Sequence, residues 1–162
     1  MMDYIKLLVF DALIGNNDRH FYNWAIIRDV RGKSQPVFSP IYDTARGLFW
    51  NDHEDKLKWI YDSKSRLETF IKKYAEGSSP KIGWDGLNHI NHFDLVEKLR
   101  SLPFTVNCET IINVCSDESL LKVYDLIDNE FRQLLSFERR YVIKACLAYR
   151  HDRIKKIFNF AT

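Results

Sequence analysis

The sequence predicts a mainly α-helical domain that carries one small β-hairpin near its N-terminus. Apolar residues recur at helical spacing along most of the 162 residues, whereas residues 23–39 contain two short apolar runs separated by a turn sequence. This length suits one domain with a single core. We therefore expect one domain over residues 1–162.

Five segments have the spacing and the terminal signals of helices. Gly15 and Gly77 are suited to ending the first two segments, and Ser116 and Ser136 are suited to beginning the last two. Pro103 stops the third segment. The predicted helical segments are 3–14, 55–76 as one or two helices, 91–102, 117–135 and 137–158.

The predicted hairpin has "NWAIIRD" as its first strand and "QPVFS" as its returning strand, with a turn around Gly32. Antiparallel pairing about this turn returns Asn23 and Asp43 to the same end of the ribbon. Asp18 lies in the loop that leads into that end. The three side chains are therefore expected to form one cluster of oxygen donors, which suits Mg²⁺.

The spacing of Asp18 and Asn23, D-x-x-x-x-N, is that of the kinase catalytic loop. In that loop the Asp accepts the proton of the substrate hydroxyl and the Asn holds a metal ion. A later Asp that follows a hairpin holds the metal that bridges the phosphates, and Asp43 occupies that position. Asn and Asp also favour turns and caps, so turn chemistry is the alternative interpretation. The ordered combination favours a site for phosphoryl transfer.

The stretches "LIGNNDRHFYNW" and "FSPIYDTARGLF" resemble the C-terminal lobe of HipA-like serine/threonine kinases, the toxin kinases of bacterial toxin–antitoxin pairs. The catalytic loop of that family reads G-N-x-D-x-H-x-x-N, and its metal-binding Asp follows a P-x-Y sequence. The matching residues in this chain are Gly15, Asn16, Asp18, His20 and Asn23, followed by Pro40, Tyr42 and Asp43.

The resemblance implies that the chain is a helical, kinase-like C-terminal lobe. It implies that Asp18 is the catalytic residue and that His20 shapes the loop around it. It also implies that Asn23 and Asp43 hold magnesium and, through the ion, ATP. The implied partners are a protein substrate, a separate N-lobe protein and a DNA-binding antitoxin.

The match departs from ordinary protein kinases in two places. Arg19 follows the catalytic Asp instead of preceding it, so no role in reading a phosphorylated loop transfers to it. Asp43 is followed by Thr44 and Ala45 instead of Phe and Gly. The activation-segment mechanics of ordinary kinases are therefore not expected here.

The chain lacks the usual signals of the lobe that covers ATP. Only seventeen residues precede Asp18, no Gly occurs before Gly15, and Lys6 lies in the first predicted helix. The later stretch "GSSPKIG" has no strand before it and contains Pro80, so it is not expected to bind phosphate. We expect the N-lobe to be absent from the chain, so the chain would be inactive alone. It would then be a truncated domain, a split-gene product or a remnant.

Two other functions stay open. A remnant would serve as a non-catalytic interaction module that docks an antitoxin or an N-lobe partner. A phosphoinositide-type lipid kinase is the second alternative, because such kinases have a similar D-R-H-x-x-N loop, although their usual Asp-Phe-Gly is absent here. The pair His89 and His92 lacks a third strong ligand and is interpreted as ordinary surface residues.

Charge and cysteine content narrow the functional classes. A net charge of +2 predicts no direct sequence-specific nucleic-acid binding, and the basic residues between 139 and 156 are interpreted as a solvated helix face. The three cysteines lack CxxC spacing, which favours a reducing cytoplasm over a disulfide or zinc framework. The apolar N-terminal run is too short to span a bilayer, so no membrane partner is expected.

Overall fold

The computed structural model describes residues 2–103 and 109–158, which form seven helices and one two-stranded antiparallel sheet. The prediction of a mainly helical fold with a small hairpin is confirmed. The elements are α1 (Met2–Ile14), β1 (Ile26–Ile27), β2 (Val37–Phe38), α2 (Glu54–Tyr61), α3 (Lys64–Gly77), α4 (His92–Arg100), α5 (Glu109–Val114), α6 (Asp117–Asn129) and α7 (Phe137–Phe158).

Helix α7 is the central element, because α1, α2, α3, α4 and α6 all pack against it. Its C-terminal part joins α1, α4 and α5 in one apolar core, and its N-terminal part joins α2, α3 and α6 in a second. A helix that packs on several sides cannot keep a single apolar stripe. The buried residues of α7 are Val142, Ile143, Cys146, Leu147, Arg150, His151, Ile154, Ile157 and Phe158.

One predicted helix is shorter in the structure than expected. The segment 117–135 is helical only to Asn129, since Leu134 is 77% exposed and gains no packing that would extend the helix. The next segment instead turns towards α2, where the Ser136 hydroxyl donates to Glu54 and accepts from the backbone amide of Arg139. Helix α5 was not predicted at all. The segment 55–76 forms two helices, with Ser63 between them in extended conformation.

The hairpin has the predicted turn but shorter strands. Ile26 pairs with Phe38 and Ile27 with Val37, so the ribbon is centred on Gly32, whose φ is +66°. A left-handed turn residue of this kind favours glycine. Continuing the register places Asn23 opposite Ile41, near Asp43. Each strand has only two residues because their side chains are largely exposed and bury little area.

Two of the three cysteines lie among the described residues. Cys115 and Cys146 are free and buried, and burial raises the pKa of each thiol to about 12. Cys108 lies outside the described residues. Within residues 2–103 and 109–158, no helix is both long and apolar enough to cross a membrane.

Candidate active site

The candidate catalytic loop begins where α1 ends at Gly15. This glycine has a φ of +66°, and a Cβ atom on it would lie 2.8 Å from the ring of Tyr74. The Tyr74 hydroxyl donates to the carbonyl oxygen of Gly15 at 3.0 Å. Burial raises the pKa of Tyr74 to about 12, so the hydroxyl keeps its proton. Glycine is therefore required both for the turn and for the close approach of α3.

A buried ion pair between Asp11 and Arg19 holds the loop from inside. The Arg19 Nε and Nη2 atoms donate to the two carboxylate oxygens of Asp11 at 2.6 and 3.0 Å, and both side chains are fully buried. The remaining guanidinium nitrogen, Nη1, donates to the carbonyl oxygens of Asn23 and of Tyr42, the latter at 3.0 Å. Arg19 thus ties the end of the loop to the residue before Asp43, a role that the sequence comparison with ordinary kinases did not reveal.

Asp18 and Asn23 are buried and directly connected. The Asn23 Nδ2 atom donates to the backbone carbonyl of Asp18 at 2.8 Å, and the Asp18 amide donates to the Asn16 side-chain oxygen at 3.1 Å. With its nitrogen used in this way, Asn23 has its amide oxygen left as the atom that could ligate a cation.

Asp43 lies exposed beyond the second strand, with a φ of +54°. A non-glycine residue in this region is strained and persists only where its surroundings hold it. Two contacts of the preceding residue do so: the Tyr42 carbonyl accepts from Arg19, and the Tyr42 hydroxyl donates to the carbonyl of Tyr22 at 2.9 Å. The structure therefore holds the segment of Asp43 against the loop that contains Asp18 and Asn23.

His20 lies half-buried in the same loop. Its Nδ1 atom accepts from the backbone amide of Tyr22 at 3.2 Å, so the neutral ring carries its proton on Nε2. This contact closes the turn between Asp18 and Asn23. The proposed role of His20 in shaping the loop stays a prediction.

Two cations flank the Asp18 carboxylate. The Lys81 ammonium lies 2.5 Å from Oδ1, and the Arg46 Nε atom lies 3.2 Å from Oδ2. The contact with Lys81, and to a smaller extent the charge of Arg46, lower the pKa of Asp18 below its ordinary value despite its burial. Asp18 is therefore ionised at neutral pH. Sequence reasoning missed both cations, and Lys81 belongs to the stretch "GSSPKIG", which carried no expected function.

His92 was interpreted as a surface residue, and this was wrong. It is fully buried, and its Nε2 atom lies 3.0 Å from the carbonyl oxygen of Asn16 in the candidate loop. Burial, reinforced by the charge of Arg150, lowers the pKa of His92 to about 3. The neutral ring therefore donates its proton to Asn16 and supports the loop from α4. His89 is exposed, as expected.

The buried imidazole predicts a loss of stability in acid. Because the pKa of His92 is about 3 when folded and 6.5 ordinarily, the unfolded chain binds the extra proton between these values. The contribution of neutral His92 to the free energy of unfolding is complete above pH 6.5. Below pH 6.5 it falls by up to about 1.4 kcal/mol per pH unit. Gln in place of His92 keeps a donor at a similar position but does not titrate. Urea unfolding from pH 7 to 5 should show a steeper loss for the wild-type chain than for His92→Gln, and equal slopes would contradict the prediction.

Arg150 also departs from the predicted solvated face. It is fully buried, donates to the Ala12 carbonyl at 2.6 Å and to the Ser78 hydroxyl at 2.7 Å, and so joins the end of α1 to the end of α3. Of the other arginines and lysines of α7, Arg153 lies over the ring of Phe93 at 5.2 Å, and five form ion pairs with acidic side chains. These pairs join Arg139 to Glu54, Arg140 and Lys144 to Asp128, Lys155 to Asp117, and Lys156 to Asp152.

The donor set fits a magnesium ion that is shared with a nucleotide. Among the described residues, no three His, Cys, Asp or Glu side chains form a cluster that could hold a metal alone. Magnesium commonly takes one or two protein carboxylates and completes its shell with water and phosphate oxygens. Two groups suit such a shared site. They are the amide oxygen of Asn23 in the candidate loop and the exposed carboxylate of Asp43 after the second strand.

Comparisons with known proteins agree with this geometry at the level of the fold. No protein-family profile matches the chain. The chain is similar to the Helicobacter pylori proinflammatory kinase CtkA, with a TM-score of 0.65 and 18% identity, over 98% of this chain and 54% of that one. The chain has a kinase-like fold.

A sequence relationship supports the same conclusion over a shorter stretch. Y4dM of Sinorhizobium fredii, a protein named as a kinase, is 31% identical over 70 residues, which cover 43% of this chain and 17% of that protein. The chain thus spans about half the length of CtkA, and the aligned stretch spans a smaller part of Y4dM. These matches show a relationship to kinase-named proteins.

Proposed function

We propose that this chain is the catalytic C-terminal lobe of a HipA-like protein serine/threonine kinase, which transfers the γ-phosphoryl group of ATP to a protein hydroxyl in a magnesium-dependent reaction. The observation that carries the proposal is the contact set of Arg19. One buried guanidinium holds the carbonyls of Asn23 and Tyr42, and therefore holds together the two segments that a kinase needs for its metal–nucleotide site.

In the proposed reaction, the hydroxyl oxygen of the substrate forms a bond to the γ-phosphorus of ATP. The bond from that phosphorus to the β–γ bridging oxygen breaks, and its electron pair leaves with ADP. Asp18 orients the hydroxyl and receives its proton. The lowered pKa of Asp18 makes it a weak base, which suits a loose transition state in which the proton moves late.

Asn23 and Asp43 would hold magnesium, which supplies positive charge to the phosphates. His20 and His92 keep the loop in shape around Asp18, the first through the Tyr22 amide and the second through the Asn16 carbonyl. A strand-rich lobe with a phosphate loop and a lysine, on the same or a separate polypeptide, would cover ATP. A DNA-binding antitoxin is the further partner proposed from the resemblance to toxin kinases, with the cytoplasm as the compartment.

Transfer from γ-labelled ATP tests the proposal. With a complementing N-lobe protein, the chain should label protein in the presence of Mg²⁺, whereas the chain alone should not. Asp43→Ala should lower this labelling by at least about a hundredfold, the scale of losing a group that stabilises charge in the transition state. Its exposed side chain makes loss of folding a small concern. The control is Asp125→Ala, which removes another exposed aspartate, from helix α6.

Each alternative predicts a different result. Undiminished transfer in a folded Asp43→Ala variant would contradict the metal-site assignment. Labelled phosphoinositide without labelled protein would favour a lipid kinase. An interaction module predicts partner binding that is insensitive to the Asp43 substitution, with no transfer even when the N-lobe partner is supplied.

A further inference from the structure

The candidate catalytic loop contains no free cation of its own. Arg19 is fully buried, and its guanidinium nitrogens are engaged by Asp11 and by two backbone carbonyls. His20 is the other basic residue between Asp18 and Asn23, and its Nδ1 atom is engaged by the Tyr22 amide. A transferring phosphoryl group beside the Asp18 carboxylate would meet like charge, so any side-chain cation that assists magnesium there must come from another segment.

Lys81 and Arg46 meet this requirement. Their side chains are 53% and 47% exposed, yet their charged ends lie 2.5 and 3.2 Å from the two oxygens of Asp18, which is itself buried. The two cations come from separate segments, the α3–α4 loop and the stretch after Asp43, and approach the carboxylate on different oxygens. Both cations therefore remain partly open to solvent while they contact the buried carboxylate.

The backbones that carry these cations are tied to the candidate loop. The Asn17 amide donates to the Arg46 carbonyl at 3.1 Å, and the Asn17 side-chain oxygen accepts from the Ser79 amide at 3.1 Å. Asn17, the residue before Asp18, therefore connects the candidate loop to both cation-bearing segments. Ser78 is anchored in turn by Arg150 at 2.7 Å. The backbone segments that carry the two cations are therefore held beside the candidate loop, while their side chains remain partly exposed.

We infer that Lys81, assisted by Arg46, forms a binding subsite for the transferred γ-phosphoryl group beside Asp18. This inference rests on the proposed function. In the substrate-free chain the two cations neutralise Asp18; with a nucleotide present they share their donors between Asp18 and the phosphoryl oxygens. Lys81 is the main contributor because it lies closer to the carboxylate, whereas the guanidinium of Arg46 also stacks over Trp50 at 5.5 Å.

The subsite would distinguish a triphosphate from a diphosphate, and this difference provides the test. Binding of Mg²⁺ with a non-hydrolysable ATP analogue and of Mg²⁺ with ADP is measured by NMR or calorimetry for the wild-type chain and for Lys81→Met. The wild-type chain should prefer the triphosphate. Lys81→Met should weaken triphosphate binding by about tenfold, the effect of one hydrogen bond to a charged group, and should leave ADP binding unchanged.

Matched variants separate this effect from a general loss of charge. Lys81→Arg should retain most of the preference, and Arg46→Gln should lose a smaller part of it. Lys122→Met is the control, because Lys122 is 74% exposed and forms an ion pair of 2.7 Å with Glu118 on α6. All of these variants should have the melting temperature of the wild-type chain, since exposed ion pairs contribute little to stability.

The outcomes for the subsite and for the proposed function are distinct. An unchanged preference for the triphosphate in Lys81→Met, with both nucleotides bound, would overturn the subsite and leave the proposed function standing. Equal losses for triphosphate and ADP would also overturn it, because they indicate a general electrostatic effect. Failure of either nucleotide to bind the wild-type chain at millimolar concentrations, with the N-lobe partner supplied, would overturn both proposals.

Discussion

Asp18→Asn should reduce phosphoryl transfer by about 10²–10⁴-fold, the usual contribution of a positioned general base. The substitution preserves the size of the side chain but removes the charge that attracts Lys81 and Arg46, and an amide cannot take the proton of the substrate hydroxyl. The assay is the initial rate of transfer from γ-labelled ATP, with the N-lobe partner supplied.

The Asp18 variant should remain folded, because both of its cation partners are half-exposed and can turn to solvent. Circular dichroism and thermal melting provide the control. A folded Asp18→Asn variant with wild-type transfer would show that Asp18 is not the catalytic residue. A proportional loss of structure and transfer would instead indicate a structural role.

Arg19→Met should destabilise the chain by about 3–5 kcal/mol, since it leaves the Asp11 carboxylate buried without its charged partner and with only the Asn16 amide as a side-chain donor. It also removes the donor shared by the carbonyls of Asn23 and Tyr42. The loss is measured as the free energy of unfolding in urea. We expect the largest local change at the segment of Asp43, which should exchange its amide hydrogens faster even under conditions in which the variant is still folded.

A double replacement separates the buried charge from the loop contacts. Asp11→Leu with Arg19→Met removes both charges and should recover much of the lost stability. It should not restore phosphoryl transfer, because no side chain then joins Asn23 to Tyr42. Equal stability of wild-type and Arg19→Met chains would contradict the proposed role of this ion pair.

Local sequence signals were sufficient for the helix ends and the hairpin turn near the site. Gly15 ends α1 and Gly32 centres the hairpin, because a left-handed backbone has a strong preference for glycine. The pairing of the strands follows from the turn, so the approach of Asn23 to the segment of Asp43 could be predicted. The roles of Asp18, His20, Asn23 and Asp43 in catalysis stay predictions.

Contacts between distant segments were harder to predict. Arg150 lies four residues from both Cys146 and Ile154, which are on the buried side of α7. This helical spacing could have predicted that Arg150 points inwards. His92 likewise precedes the buried residues Leu95 and Val96 at helical spacing. Lys81 gave no such signal, because its role depends on how the loop after α3 folds back to Asp18.

The most direct test of the central claim, that the two segments share one metal–nucleotide site, is paramagnetic broadening by Mn²⁺ in place of Mg²⁺. With ATP present, the amide signals of residues 18–23 and 42–44 should broaden before all others, and Asp43→Ala should weaken the effect at both segments. Broadening at only one of the two segments, or concentrated instead around His89, would contradict the claim.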